Sequence, residues 1–417
     1  MDHKPKSTAP GLGTGRGLED QPTDGAPRLG VLLLLLPLCG SLVGLACDPG
    51  THAAAGGGSG GSSARGGATG ADAGPARGGA TGADAGSASG GGNGASGAGG
   101  GGRTGSAGAG GAPAEREVFS TCRFHFGTID SRAKSAGAAT IAQIDYFTPA
   151  WMQGASFDHQ GVCNDTNPGA VLANKVPIIV AYVAAGNVKR DHRLCDCNVT
   201  GCTGGDLCGV GAQFIAQDWA KILSAYRSYS QGFARCYGTT RPIIFEMEPD
   251  WYQYTESKET QPWTATEAAS RMTELVNALK TDLPNARFSM DVSPWVAPDN
   301  GRDNGAQWFS NFDMSLFSFV NTSGGGTNAD TAKIREANNM TWAGLHQVTG
   351  KPILADTGYG ANGRSAGHDP AWDVAANINA RIADGVIAIA QYNPNVATWA
   401  TTITGIRSDL DAPTTCP

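Results

Sequence analysis

From residue 117 onward the chain alternates two kinds of apolar pattern. Short apolar runs of strand length fall at 123–128, 144–147, 177–182, 242–248, 286–292, 315–320, 352–356 and 386–391. Between them apolar residues return every three or four positions. Phe214, Ile215, Trp219, Ile222, Leu223 and Tyr226 make one stripe, and Met272, Leu275, Val276 and Leu279 another, as on the buried face of a helix. The second stripe follows Thr264 and Glu267, spaced as a capping box. Further helices are expected between Asp330 and Gly350 and between Asp369-Pro370 and Gly385, where acids, proline and glycine stand at the ends that need them. The helix after the second strand has the faintest pattern. Eight such alternations over about 300 residues predict a single α/β domain, 117–417, folded as a (β/α)8 TIM-type barrel.

Upstream the pattern is lost. Residues 48–116 are dominated by Gly, Ala and Ser, and the eleven residues 64–74 recur at 76–86. So few apolar side chains cannot offset chain entropy, so this stretch predicts a disordered, low-complexity tether rather than a second fold. Residues 1–47 hold one apolar run, which follows Arg28 and ends in small residues, the layout of a secretory signal. Pro37 and the glycines in that run argue against a permanent membrane span. Its end, Gly44-Leu-Ala-Cys47, resembles a bacterial lipobox, with Gly44 where Leu is usual. The resemblance implies a lipid on Cys47 and a place on the cell envelope or outside the cell; a plain cleaved signal and a retained anchor are the alternatives. A membrane is expected to be met only through that lipid, and the chain to act as a monomer.

Eight of the ten cysteines lie after residue 117. An even number in an exported chain implies disulfides. Cys195, Cys197, Cys202 and Cys208 crowd one segment, but their spacing lacks the paired C-x2-C form, which favours a stapled loop over zinc. Cys122 and Cys416 stand at the two ends of the domain and are candidates to close it. The net charge of −7 and the lack of a basic run argue against nucleic acid. A neutral or weakly charged substrate fits better.

The candidate chemistry centres on residues 241–254, RPIIFEMEPDWYQY. On a strand, Ile244, Glu246 and Glu248 share one face, and Ile243, Phe245 and Met247 the other. A buried strand that delivers acids at its C-terminal end is what a barrel does at its active site. Glu246, Glu248 and Asp250 are the catalytic candidates here, with Glu248 the expected general acid, because it is inward and terminal, and Glu246 lying deeper. The seventh strand, KPILAD, is apolar until Asp356 and then turns on glycines, which makes Asp356 the facing nucleophile or base. Trp151, Trp251, Tyr252, Trp295 and Tyr359 follow strand ends and could supply a stacking floor for sugar rings. His125 on the first strand and Asp291 on the fifth are further inward candidates for substrate contact. His159, His192 and His368 lack ligand spacing, so no metal is expected, and no cofactor either. Ser289 and Ser293 lack a G-x-S-x-G elbow, and Gly324–326 is misplaced for a phosphate loop.

Short segments resemble known barrel glycoside hydrolases. Met247-Glu248-Pro249 resembles the Asn-Glu-Pro of the cellulase-type retaining enzymes. Glu246-Met247 with Trp251 resembles the Glu-Met-Asn-Gly-x-Trp of the mannanase-type family, and Lys351-Pro with Asp356 and Gly358 its strand-seven segment. Glu248-Pro-Asp250, with Arg190-Asp191, is similar to the signature of an inverting cellobiohydrolase family. These resemblances imply cleavage of an extracellular β-glucan or β-mannan by paired carboxylates. Strand seven carries Asp356 where the retaining enzymes carry Glu, and its shorter side chain leaves room for a water between the two acids. A non-catalytic glycan-binding envelope lipoprotein on the same scaffold is the alternative.

Overall fold

The computed structural model describes residues 114–411 apart from 150, 155–157, 198, 200, 258–260, 293–304, 323–326, 335–339 and 358–366. The leader, Cys47, the repeats, Ser293, Trp295, Tyr359 and Cys416 lie outside the described residues.

Eight parallel strands close into a barrel: β1 (His125–Ile129), β2 (Tyr146–Thr148), β3 (Val176–Tyr182), β4 (Ile243–Met247), β5 (Ala286–Asp291), β6 (Phe319–Asn321), β7 (Ile353–Asp356) and β8 (Val386–Ala390). Each pairs with the next, and β8 returns to β1. A two-residue strand, Met152–Gln153, adds to the end of β3. The helices are α1 (Ala114–Phe119), α2 (Asp130–Ser135), α3 (Gly137–Gln143), α4 (His159–Thr166), α5 (Val183–His192), α6 (Leu207–Gln217), α7 (Trp219–Cys236), α8 (Ala265–Lys280), α9 (Gly305–Phe309), α10 (Trp342–Thr349), α11 (Ala375–Ala383) and α12 (Trp399–Asp409). Among the described residues no helix is long and apolar enough to cross a membrane.

The alternation along each strand sorts its side chains into two apolar layers. Ile179, Phe245, Phe288, Val320, Ile353 and Ile389 face the helices, whereas Ile178, Ile244, Phe319, Leu354 and Ala388 fill the lumen. The N-terminal end of the barrel is corked by α1, which straddles the expected linker boundary at 116/117. Val118 and Phe119 join the lumen cluster, and the Glu115 carboxylate lies 3.0 Å from His125 Nε2.

Several element ends differ from expectation for local reasons. The run at 315–320 begins with a 3-10 turn, Met314–Leu316, because the Asp313 carboxylate accepts the Ser315 N–H; β6 starts only at Phe319. The stripe Phe214–Tyr226 is two helices, broken at Asp218, whose carboxylate meets His192 Nε2 at 2.8 Å. α10 is capped by Thr341, not Asp330, and ends at Gly350 with φ +64°. Asp369 caps a 3-10 turn, Pro370–Asp373, before α11 begins. Thr264 caps α8 as expected, accepting the Glu267 N–H at 3.1 Å.

Cys163–Cys236 ties α4 to α7, and Cys195–Cys202 and Cys197–Cys208 staple the crowded segment. Cys197, Asp206 and Cys208 lie close enough to hold an ion, but the two sulfurs are already joined to each other. Cys122 is disulfide-bonded too.

Candidate active site

β4 delivers its acids in a way that alternation alone does not foresee. Ile244 and Glu246 point into the lumen, while Phe245 and Met247 pack outward against the helices. By period two Glu248 should point inward again. Instead the backbone turns left-handed, with φ +39° at Glu248 and +67° at Asp250 on either side of Pro249, and the alternation stops. The Glu248 side chain leaves the lumen and enters the layer between barrel and helices. There Oε1 accepts the Ala184 N–H at 2.6 Å and the Tyr226 hydroxyl, and Oε2 accepts the Tyr254 hydroxyl at 2.8 Å. The residue is fully buried. Burial pushes its carboxyl above the ordinary range, and the donors Ala184, Tyr226, Tyr254 and Ala185 pull the other way. Both Glu248 oxygens are thus engaged by fixed donors among the helix-facing residues and not in the lumen, where alternation placed the side chain.

Glu246 has the opposite surroundings. It stands beside Val180 of β3 and Ser289 of β5 in the barrel register and is 6 % exposed. Its Oε2 is buried and takes no hydrogen bond among the described residues. Burial raises its carboxyl well above the ordinary range, and the charges of Asp356 and then Asp291 add to the shift. Both effects favour the protonated form.

Asp356 ends β7 on the inward face, after Leu354 in the lumen cluster, and is buried. Its N–H donates to the Thr322 hydroxyl at 3.3 Å, and its carbonyl accepts the Thr327 hydroxyl at 2.7 Å. Asp291 ends β5 with both oxygens engaged. Oδ1 accepts the Asn321 amide at 3.1 Å, and Oδ2 accepts the Asp250 N–H at 3.3 Å. Asn321 in turn accepts the Ser289 hydroxyl at 2.8 Å. The left-handed turn that removes Glu248 thus aims the Asp250 N–H at Asp291, so one backbone feature serves both acids.

The remaining candidates divide. Asp250 is partly exposed on the rim, its carboxylate accepting the Gln253 amide at 2.7 Å. Trp151 is half-buried at the mouth, edge-on to Tyr182 at 5.6 Å. Trp251 and Tyr252 are not a stacking floor. The Trp251 indole donates to Ala268 of α8 at 3.1 Å and packs on Trp263, and Tyr252 packs edge-on to Trp308 of α9 at 5.1 Å, both rings buried. His125 is inward but at the wrong pole. It opens β1 at the corked end, stacked on Phe119 at 4.0 Å, and has no part in the acid cluster. Trp295 and Tyr359 cannot be placed, lying outside the described residues.

Asn321, Tyr146 and Tyr392 are buried polar-tipped residues of the barrel that no sequence pattern singles out. Asn321 is the sole polar residue of a three-residue strand, FVN. Tyr146 opens β2 directly opposite Gly127 of β1, where an added Cβ would lie 2.1 Å from the tyrosine ring. A glycine facing an aromatic in the neighbouring strand could have marked a ring laid across the barrel.

No protein-family model matches the sequence, and no curated protein matches it. Among solved structures the chain is similar to GH26C from Muricauda sp. MAR_2010_75, at 12% identity over 72% of this chain and 89% of that one, with a TM-score of 0.47. It is similar as well to a modular endo-β-1,4-mannanase from Cellulomonas fimi, at 12% identity over 70% of this chain and 74% of that one, with a TM-score of 0.43. A third is PbGH5A, a glycoside hydrolase family 5 enzyme from Prevotella bryantii B14, at 12% identity over 70% and 96% and a TM-score of 0.40. With TM-scores under 0.5, these likenesses carry no argument about this chain.

Proposed function

We propose that this protein is a glycoside hydrolase acting on an extracellular polysaccharide of the β-glucan or β-mannan kind, with Glu246 as general acid and Asp356 as nucleophile or base. The observation that carries the reading is the pairing inside the lumen. Glu246 is inward at the C-terminal end of β4, where burial and the Asp356 and Asp291 charges raise its carboxyl and favour the protonated form, while Asp356 is inward at the end of β7. Hydrolysis of an acetal needs that split. As the glycosidic C–O bond breaks, its electron pair passes to the leaving oxygen, which takes the Glu246 proton; the Asp356 carboxylate meets the anomeric carbon, directly or through a water. Asp291, fixed by Asn321 and the Asp250 N–H, adds negative charge that favours the protonated form of Glu246. Three disulfides among the described residues support export to an oxidising compartment, and an exported enzyme meets polymers.

The test is release of reducing ends from a panel of β-glucans and β-mannans by the full chain. Glu246→Gln and Asp356→Asn should abolish it while binding persists. A wild-type protein that binds glycans and never cleaves them would leave the non-catalytic alternative standing.

A further inference from the structure

The doubly stapled loop between α5 and α6 has no task in the reaction as written. Its bridges, Cys195–Cys202 and Cys197–Cys208, span sequence separations of 7 and 11, against 73 for Cys163–Cys236. Short loops relieve the least chain entropy, so these two bridges add least to the stability of the whole and most to the shape of one segment. That segment lies at the acid pole. A Cβ added to Gly211 of α6 would lie 3.1 Å from the Tyr254 carbonyl, and Cys208 Sγ is 3.8 Å from the side-chain oxygen of Gln253, whose amide holds the Asp250 carboxylate. Asp196 stands between two of the bridged cysteines and is exposed. It pairs with Lys189 of α5 at 2.5 Å, and the Lys189 ammonium stands 5.8 Å from the centre of the Tyr182 ring. Tyr182 ends β3 two residues beyond Val180, the register partner of Glu246, and meets Trp151 edge-on at 5.6 Å. One side of the mouth thus carries two aromatic rings and a matched pair of opposite charges, 28 % and 51 % exposed, beside the strand that bears Glu246.

We propose that Trp151, Tyr182, Lys189 and Asp196 form a binding subsite for one sugar ring of a neutral glycan. This deepens the glycosidase reading and rests on it for the choice of ligand. An exposed ion pair adds little to stability, so the pair itself does not explain why its acid is held between two disulfides. Fixed in place, the pair presents a donor and an acceptor side by side, already ordered before a ligand arrives. Their own bond leaves the ammonium with further N–H donors and the carboxylate with its second oxygen. A vicinal diol matches that arrangement: one hydroxyl donates to the Asp196 carboxylate, and its neighbour accepts from the Lys189 ammonium. The two rings supply the apolar wall for the C–H face of the same sugar. An acidic sugar would meet Asp196 and a basic one Lys189, which leaves a neutral ring as the ligand.

The test is calorimetric titration of the full chain carrying Glu246→Gln with oligosaccharides of β-glucan and β-mannan, native and with their vicinal hydroxyls methylated. Asp196→Asn and Lys189→Met are added to that parent singly, and both keep the size of the side chain. Each should raise the Kd of at least one native oligosaccharide about tenfold. Methylation should weaken binding to the parent by a similar factor and add almost nothing in either variant, because the hydrogen bonds it blocks are already gone. With Glu246 restored, the same two substitutions should raise KM with kcat nearly kept. If this pattern of binding is found but the wild type cuts no glycan, the subsite stands and the cleavage reading fails. Variants that bind as the parent does would overturn the proposal, as would a parent that binds no native oligosaccharide. So would an equal loss for native and methylated ligands, which is what a loop merely displaced by the substitution would give.

Discussion

Glu246 and Glu248 are the same side chain two residues apart on one strand, and the barrel treats them in opposite ways. Glu246 faces a lumen where the nearest charges are carboxylates and its Oε2 meets no donor. Glu248 sits in the outer layer among donors, two tyrosine hydroxyls and the first turn of α5. Both carboxyls are raised by burial, but the donors Ala184, Tyr226, Tyr254 and Ala185 pull Glu248 the other way, whereas the Asp356 and Asp291 charges add to the shift of Glu246. A perturbed titration marks a functional acid only when the group is under-satisfied and faces open space.

That contrast can be broken by substitution, and the largest effect should be on rate. Glu246→Gln removes the proton donor and should lower kcat by about 10³- to 10⁴-fold, whereas Glu248→Gln should change it by less than about tenfold. Steady-state cleavage assays at neutral pH decide this; equal losses would erase the distinction. On stability the order reverses. Glu248→Ala leaves two buried hydroxyls and the Ala184 N–H without their acceptor, and should cost about 3–5 kcal/mol in denaturant unfolding. Glu246→Gln should cost almost nothing at pH 4.

pH sharpens the same comparison. Because the folded Glu246 carboxyl is raised above its ordinary value of 4.5, the folded state binds its proton more tightly than the unfolded chain. Its contribution to stability is therefore complete below about pH 4.5 and declines as pH rises toward the folded value, by about 1.4 kcal/mol per unit. Glu246→Gln has no proton to lose and should melt higher than the wild type at pH 7 while matching it at pH 4; thermal melts at the two values read this directly. The smallest effect is expected at the rim. Trp151 is the one described ring of the sequence-proposed set that stands half-buried at the mouth, and Trp151→Ala should raise KM about three- to tenfold with kcat nearly kept.

The strands were legible because apolar runs such as PIIVAY and VIAIA have no other place to go in a closed sheet. So was the placing of acids at the ends of β4 and β7, since each ends an otherwise apolar run. Which β4 acid faces inward was not legible, because that choice lies in two backbone angles, at Glu248 and Asp250. Alternation is a statement about extended backbone and expires where the strand does. Pro249 announced the end of the strand without saying which way the chain would turn. The ring-rich segment after it misled for a related reason. Trp251 and Tyr252 read the same whether they line a cleft or seat a helix, and the neighbours that decide it, Trp263 and Trp308, come from elsewhere in the chain. For His125 the face was right and the depth wrong. The strand starts at His125 itself, not at Arg123, which leaves the imidazole on the closed pole beside Glu115.

The cork at that pole leaves the two ends of the barrel unequal. Val118 and Phe119 of Ala114–Phe119 join Ile244 and Leu354 in the lumen, and Glu115 lies 3.0 Å from His125 Nε2, so the chain itself fills the end away from Glu246 and Asp356 and a ligand of those acids has to come from the other.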